Sequence, residues 1–119
     1  GLKPSEINYI NAHGTGTLNN DESEGRAIES VFAGDLPMIS STKSFTGHTT
    51  SAAGGVEAVI SILCLQHSIV PANLNFKEPM QEISFKPVEK TTKGVDLQHI
   101  LTNSFGFGGN NTSLIFSKI

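Results

Sequence analysis

Side chains that could do chemistry are concentrated in three short segments of the 119-residue chain. His13 ends an apolar run and precedes Gly14-Thr15-Gly16-Thr17, whose glycines would let a substrate approach the backbone. Lys43 and His48 lie in a second segment that is rich in hydroxyl groups, and residues 105–111 form a glycine-rich third segment. An imidazole held at the end of a strand, beside glycines that let a substrate approach, is a candidate functional group.

Taken singly, each of these residues has an ordinary explanation. His13 alone would be a polar residue at the boundary of a strand and a loop, and Lys43 alone would be a solvated surface charge. His48 precedes a predicted helix, where a positive imidazolium is disfavoured, so its ring is expected to be neutral. A neutral ring suits a hydrogen-bond donor better than a salt bridge.

The segment Gly106-Phe107-Gly108-Gly109 has a superficial likeness to a phosphate-binding loop. It does not match the dinucleotide fingerprint, and the residues after it predict a strand rather than a helix. Either it is a plain hairpin turn, or Phe105 and Phe107, separated by one glycine, gate an apolar tunnel.

The cysteine and histidine counts exclude two other kinds of site. Cys64 is the only cysteine and lies between Leu63 and Leu65, so it is expected to be a small buried apolar residue rather than a nucleophile. One cysteine and four dispersed histidines show no metal-ligand spacing, so no metal site is expected.

The pattern of the chain predicts elements that would position these segments. Residues 7–12 predict a buried strand that ends at His13, followed by a helix that begins at Asp21 and stops at Gly34. Asp21 would cap this helix, and Glu24, three residues on, would complete a capping box. Residues 37–41 predict a second strand, and residues 42–50 a loop.

The rest of the chain predicts one more helix and a hairpin. The helix, residues 51–67, is apolar almost all round, so it needs cover on more than one face and is expected to lie between two sheets. Residues 69–93 predict an irregular connection with short strands near 84–88, and residues 100–105 and 112–118 predict a hairpin. Ligands of open α/β sheets bind at the carboxyl ends of the strands, so all three segments are expected there.

Composition excludes several functions. Eight basic and eleven acidic residues give a net charge of −3, which offers no electrostatic reason to bind nucleic acid or anionic lipid. The best apolar stretch, residues 56–65, is too short to span a bilayer, and a cytoplasmic, reducing location is expected. The opening Gly1-Leu2-Lys3-Pro4 is typical of residues just after a helix, so the chain is expected to be part of a longer protein.

Four motifs, in one order along essentially the whole chain, resemble those of the β-ketoacyl synthases. Residues 11–17, with Asp21 eight residues after His13, resemble the first histidine motif of these condensing enzymes. Residues 41–48 resemble the lysine and second-histidine motif, residues 52–58 the helix that follows, and residues 103–111 the closing gate. The likeness is closest to the elongating enzymes of dissociated (type II) systems.

This resemblance implies a fold and an activity. The fold would be thiolase-like, an αβαβα sandwich of two similar α/β halves, with residues 1–119 as one domain in the C-terminal half. The activity would be that of an acyltransferase of fatty acid biosynthesis, a 3-oxoacyl-[acyl carrier protein] synthase. Such an enzyme holds an acyl chain on a cysteine of its first half and condenses it with malonyl-carrier protein after decarboxylation.

The resemblance also implies roles for particular residues. His13 and His48 would donate hydrogen bonds to the malonyl thioester oxygen, Lys43 would orient or tune His48, and Glu57 would pair with Lys43. The backbone N–H of Phe107 would complete an oxyanion hole, and its side chain would gate access. Other implied substrate-binding residues are Thr15 and Thr17, on the phosphopantetheine arm, and Phe105, Gly106 and Gly108 in the gate.

The same resemblance implies partners and no cofactor other than the phosphopantetheine that the carrier protein brings. The partners would be the acyl carrier protein, the N-terminal half of the synthase and, for the parent enzyme, a second copy in a homodimer. Because its only cysteine is Cys64, the isolated chain is expected to be inactive, and apolar surface left uncovered would favour self-association.

Departures from the family pattern leave alternatives open. Thr50-Ser51 stands where a bulky residue and a glycine are usual, and Leu18-Asn19-Asn20 replaces the commoner Pro-Leu-Gly. A polyketide or aryl-polyene ketosynthase could share every motif, and a non-catalytic chain-length factor is a further alternative. Thiolase itself fits poorly, because no cysteine follows Cys64.

Overall fold

The computed structural model describes residues 1–119, which form six strands and three α-helices. The strands are β1 (Tyr9–Asn11), β2 (Met38–Ser40), β3 (Ile69–Val70), β4 (Thr92–Lys93), β5 (His99–Phe105) and β6 (Asn111–Ser117). The helices are α1 (Leu18–Phe32), α2 (Lys43–Thr46) and α3 (Ala53–His67), and short 3₁₀ turns span Pro4–Glu6 and Thr50–Ala52. No helix has the length and apolar character that crossing a membrane requires.

Four of the strands form one mixed sheet in the order β2-β1-β5-β6. β1 is parallel to both β2 and β5, whereas β6 runs antiparallel to β5, as the predicted hairpin requires. Parallel neighbours need crossover connections, and here α1 joins β1 to β2 while α3 and the long irregular segment join β2 to β5. The three parallel strands therefore end at the same edge of the sheet.

Each face of the sheet is covered by one helix. On one face Ile10 and Ile39 pack with Ile28 and Phe32 of α1. On the other face Tyr9 and Ile100 pack with Cys64 and Leu65 of α3, together with Val70 and Leu97. Successive strand residues point to opposite faces, which explains why neighbours such as Tyr9 and Ile10 belong to different clusters.

The helix α3 is covered on one side only within these 119 residues. Glu57, Ser61, Cys64 and Leu65 face the sheet and are buried, whereas Val59 is 58% exposed and Ile62 and Leu63 are also exposed. The second sheet that the sequence predicts over α3 is not formed by these residues. The apolar pattern of α3 therefore predicted more cover than the described chain supplies.

The start of α1 differs from the sequence-based expectation. The helix begins at Leu18, three residues before the predicted cap Asp21, and Thr17 in the cap position makes no side-chain hydrogen bond. The Asp21 carboxylate instead accepts from the Gly16 N–H at 3.2 Å, and Glu24 bonds to the loop before the helix. The predicted capping box is therefore wrong, because both carboxylates serve the loop. The helix ends at Phe32, followed by Ala33 and Gly34 at positive φ.

Between α3 and β5 the predicted strand at residues 84–88 is wrong. Val88 alone is bound to the edge of the sheet, where its N–H donates to the Ile39 carbonyl at 2.8 Å and its carbonyl accepts from Asn73 N–H at 2.7 Å. The strands that do form there, β3 and β4, pair antiparallel at the ends of the segment. The short helix α2 also lies in what was predicted to be a loop.

Candidate active site

The three chemistry-bearing segments meet at the carboxyl ends of β1, β2 and β5. His13 follows β1, His48 follows β2 by way of α2, and Phe105 ends β5. The ring centroids of His13 and His48 are 5.3 Å apart with their planes at 89°, and the Phe105 ring lies 5.4 Å from His13. The parallel strands thus bring together side chains that are far apart in the sequence.

The backbone that carries His13 is held by a buried carboxylate. The two oxygens of Glu24 accept from the N–H groups of His13 and Gly14, each at 2.9 Å, and the Asn103 side-chain amide donates to Glu24 at 3.0 Å. One side chain of α1 thereby links the loop after β1 to β5. The spacing of Glu24, Ile28 and Phe32 by four residues, which places Glu24 on the buried stripe of α1, is the sequence signal for this role.

Gly14 allows two loops to cross closely beside His13. Its φ is +44°, and a Cβ built on it would lie 2.5 Å from Cβ of Ser41. The Ser41 hydroxyl donates to the Gly14 carbonyl at 3.2 Å. A side chain at position 14 would therefore push the segment that contains Lys43 away from the loop that contains His13.

The imidazole of His13 is held neutral by its surroundings. Residue 13 is only 4% exposed, and its Nδ1 atom has no hydrogen-bond partner. Burial, then the positive charge of Lys43, lowers the pKa of His13 from 6.5 to about 4. At neutral pH the ring is uncharged, so it carries one N–H that is available to a ligand.

The second histidine has its proton placed by the backbone. His48 is exposed, and its Nδ1 accepts a hydrogen bond from the Thr50 N–H at 3.1 Å. An acceptor at Nδ1 leaves the proton on Nε2, which becomes the donor. Thr50 has a φ of +51°, which is unusual for a β-branched residue, and this strained conformation belongs to the tight turn that carries its amide.

Lys43 is buried and pairs with Glu57. Its ammonium group bonds to Glu57 Oε1, and both side chains are almost wholly inaccessible to solvent. The hydroxyl of Ser104 donates to the other Glu57 oxygen at 3.2 Å. Asn11, at the end of β1, accepts from the Thr42 N–H and hydroxyl and so fixes the residue before Lys43.

A cleft opens above the two imidazoles, lined by His13, Thr15, Thr17, Asn20, His48, Thr50, Ser51, Phe105, Gly106 and Phe107. Thr15 and Thr17 share a hydrogen bond at 3.0 Å on its wall, and Phe107 is fully exposed at the tip of the hairpin turn. The structure therefore brings together most of the residues that the sequence singled out. Lys43, Glu57 and Gly108 do not line the cleft. The φ of +84° at Gly108 serves the turn.

Two other features bear on the chemistry. Cys64 is buried in the core between α3 and the sheet, where burial raises its thiol pKa to about 11. A thiol in this state is a poor nucleophile. The structure contains no cluster of three or more His, Cys, Asp or Glu side chains that could hold a metal ion.

A mixed sheet with one helix on each face is an α/β architecture, and the solved structures that share it here are thiolase-like ketosynthases. Residues 1–77 match the model of the family described as "Beta-ketoacyl synthase, C-terminal domain". The chain belongs to this β-ketoacyl synthase family.

Relatives over the whole chain agree with this assignment. The chain is 45% identical, over 100% of its length, to the mitochondrial 3-oxoacyl-[acyl-carrier-protein] synthase of Arabidopsis thaliana, and covers 27% of that protein. It is 41% identical, over 97% of its length, to 3-oxoacyl-[acyl-carrier-protein] synthase 2 of Vibrio harveyi, and covers 28% of that protein. The chain thus spans just over a quarter of the length of these relatives and belongs to their C-terminal half.

Solved structures share the fold. The ishigamide ketosynthase/chain length factor superposes with a TM-score of 0.95 at 32% identity, over 100% of this chain and 30% of that chain. A type II polyketide synthase acyl carrier protein in complex with its ketosynthase gives a TM-score of 0.93 at 29% identity, over 99% of this chain and 29% of that chain. These similarities confirm the fold that the motifs predicted.

Proposed function

We propose that this chain supplies the malonyl-binding half of the active site of a 3-oxoacyl-[acyl carrier protein] synthase. The observation that carries the proposal is the pair of imidazoles, 5.3 Å apart, at the floor of a cleft. His48 carries its proton on Nε2, and His13 is neutral at pH 7. Two neutral N–H donors suit an oxygen on which negative charge develops.

The proposed reaction uses these donors during decarboxylation. When CO₂ leaves the malonyl thioester, the electron pair of the broken C–C bond moves into the carbanion and its enolate form, whose thioester oxygen becomes negative. Hydrogen bonds from His13 and His48 to this oxygen lower the barrier, because they strengthen as the charge develops. Burial, and after it the positive charge of Lys43, keeps His13 uncharged.

The carbanion then attacks the carbonyl carbon of an acyl thioester held by a cysteine outside this chain, which forms a C–C bond, and the tetrahedral intermediate collapses by breaking the C–S bond and releasing the cysteine thiolate. The Phe107 N–H, at the rim of the cleft, would donate to the oxygen of the tetrahedral intermediate, and Phe105 and Phe107 would control entry. Gly106 and Gly108 give this gate its backbone freedom. The domain that carries out this half of the chemistry would be residues 1–119, and alone it would be inactive because it lacks an accessible nucleophile.

The substrate would arrive on a phosphopantetheine arm. The hydroxyls of Thr15 and Thr17 on the cleft wall, with the amide of Asn20, fit the amide groups of such an arm. Acyl carrier protein is the proposed partner, a view supported by the solved ketosynthase that is bound to one. The remaining part of the synthase is the second proposed partner. The parent enzyme is proposed to be a homodimer and to lie in the cytoplasm.

A polyketide ketosynthase is the second candidate, favoured by the hydroxyls of Thr50 and Ser51 in the cleft. These groups can bind the oxygens of an oxygenated acyl chain, which a saturated chain lacks. A chain-length factor fits less well, because His13, His48 and the Lys43–Glu57 pair are all present. Competition between saturated and 3-oxo acyl substrates for condensation by the full-length synthase separates the first two candidates.

The test of the leading candidate is malonyl-carrier protein decarboxylation by the full-length synthase that contains these residues. His13→Ala and His48→Ala are each expected to reduce CO₂ release by about 100-fold or more, as loss of an oxyanion donor does. His67→Ala, which removes an exposed imidazole outside the cleft, is the matched control and keeps normal rates. Normal decarboxylation by both cleft variants would refute the proposal.

A further inference from the structure

Asn103 of β5 is a buried polar residue that contacts both α1 and β6. It is only 5% exposed. Its Nδ2 donates to Glu24 Oε1 at 3.0 Å, and its Oδ1 accepts from the hydroxyl of Ser113 at 2.8 Å. An ionised carboxylate only accepts hydrogen bonds, so the NH₂ group must face Glu24 and the amide oxygen must face Ser113. The two partners therefore hold the amide in one orientation.

The Glu24 oxygen that Asn103 contacts is the one that holds His13. Oε1 accepts from the His13 N–H as well as from Asn103, and Oε2 accepts from the Gly14 N–H. Asn103 supplies the only side-chain donor to this carboxylate, because the other two donors belong to the loop that the carboxylate positions. The placement of this loop relative to β5 therefore depends on Asn103.

The charge state of Glu24 depends on the same contact. Burial raises the pKa of Glu24, whereas hydrogen bonds from the loop backbone and from Asn103 lower it, and Asp21 on the same helix raises it further. Two other charged residues, Lys3 and Glu78, line grooves beside Glu24 and are exposed, and the imidazole of the loop is neutral. No cation pairs with Glu24, so neutral N–H donors alone stabilise its ionised, accepting form.

We propose that Asn103, with its amide oriented by Ser113, is a positioning residue for His13 that acts through Glu24. Asn103 does not line the cleft, so it would act without touching the substrate. This role rests on the synthase function proposed above, because the placement of His13 affects the rate only if His13 donates to the reacting thioester. A displacement of about 1 Å at a reacting group can reduce a rate by about 100-fold.

Asn103→Asp in the full-length synthase tests this role with almost no change of shape. The variant replaces the NH₂ group by a carboxyl oxygen at the contact with Glu24. Two carboxyl groups in contact share one proton, which restores a hydrogen bond between them, and they repel each other once that proton is lost. The rate of CO₂ release from malonyl-carrier protein, relative to the unmodified synthase, should therefore fall about tenfold or more between about pH 5.5 and about pH 8.5.

Asn19→Asp is the matched control for the added charge. Asn19 is exposed in the first turn of α1 and makes no hydrogen bond with Glu24. An exposed aspartate is ionised across this range, so the relative rate of the control should not change with pH. Circular dichroism at each pH establishes that the variants are folded. A folded Asn103→Asp synthase whose relative rate is the same at every pH would overturn the proposal, because a packing defect does not follow the ionisation of a carboxyl pair.

Ser113 gives a second test that does not depend on activity or on a buried substitution. Ser113 is exposed, so Ser113→Ala should fold, but the Asn103 amide loses the donor that orients it. Exchange of the amide hydrogens of His13 and Gly14 should become about two- to tenfold faster, as expected for one weakened hydrogen bond. Ser113→Thr keeps the hydroxyl and should retain the original protection. Unchanged exchange in Ser113→Ala would contradict the orienting role of Ser113.

His13→Ala and His48→Ala in the same assay separate this inference from the proposed function. If both decarboxylate normally, the synthase function fails. If both lose decarboxylation while the relative rate of Asn103→Asp stays constant with pH, the synthase function stands and the positioning role of Asn103 fails.

Discussion

Two buried carboxylates, Glu24 and Glu57, lie on opposite faces of β5 and are stabilised in different ways. Glu57 on α3 faces a cation, Lys43, and accepts from Ser104. Glu24 on α1 faces no cation and accepts only from neutral N–H donors, including Asn103 of the same strand. Burial raises the pKa of Glu24, and these hydrogen bonds partly offset the rise.

The difference separates two tasks in the site. The ion pair on the α3 side holds a positive charge near His13 without exposing it to solvent. The carboxylate on the α1 side holds the backbone of His13 and Gly14 in place. The Lys43–Glu57 pair therefore tunes the electrostatics of His13, and Glu24 fixes the geometry of its backbone. Variants of the ion pair and of Glu24 should have separable consequences.

The largest expected effect comes from breaking the ion pair. Lys43→Met removes the charge but keeps much of the volume, and it leaves the Glu57 carboxylate buried without its partner. We expect the free energy of unfolding to fall by about 3–5 kcal/mol, measured by urea denaturation. The double variant Lys43→Met/Glu57→Gln, which removes both charges, should regain a large part of that loss. Equal stability of the single and double variants would show that the pairing contributes little.

The sequence predicted one of these carboxylates and misassigned the other. The Lys43–Glu57 pairing followed from the family resemblance, and the structure contains it. Glu24 was assigned to a capping box because its spacing from Asp21 fits that local rule. The loop before α1 offers two backbone N–H groups to a carboxylate on the buried stripe, and this tertiary arrangement prevailed. Local spacing alone does not reveal it.

Other elements show where sequence patterns suffice. The β5–β6 hairpin and β1 were predicted because apolar, β-branched runs beside glycine turns are strong local signals. The strand expected near residues 84–88 failed because its apolar residues pack elsewhere. Phe85 contacts the cluster beneath α1, and Val88 the cluster on the α3 side. The two apolar residues of this segment are therefore buried in different clusters, and burial alone does not make the segment a strand.

The next largest effect is a dependence of the free energy of unfolding on pH that arises from His13. The pKa of His13 is about 4 in the folded chain, against 6.5 for an unperturbed histidine. Between these values the unfolded chain binds more protons, so stability should fall as pH decreases from about 6.5 towards 4, by at most about 1.4 kcal/mol per pH unit. His13→Asn should flatten this slope in urea denaturation repeated across the window.

Lys43→Met provides the sharper version of the same experiment. Burial is the largest cause of the lowered pKa of His13 and the charge of Lys43 the next, so removing that charge should raise the pKa only part of the way. The C–H resonances of the imidazole, followed by NMR during a pH titration, report this directly. An unchanged titration of His13 would contradict the electrostatic role assigned to the α3 side.

The smallest expected loss of stability follows from Glu24→Gln, which keeps the shape of the side chain but replaces one acceptor oxygen with an NH₂ group. Either the His13 or the Gly14 N–H then faces a donor, and a buried donor left without an acceptor costs about 1–3 kcal/mol. The amides of residues 13 and 14 should exchange faster with solvent, whereas Lys43→Met should leave them less affected.

Because burial raises the pKa of Glu24, the folded chain holds the carboxyl proton of Glu24 more tightly than the unfolded chain does. Ionising Glu24 therefore opposes folding as pH rises past 4.5. Glu24→Gln removes that penalty, and its deficit relative to the unmodified chain should therefore shrink at higher pH. A deficit that widens instead would mean that the carboxylate is stabilised in its charged form, as a cation would do, and the contrast between the two faces of β5 would be lost.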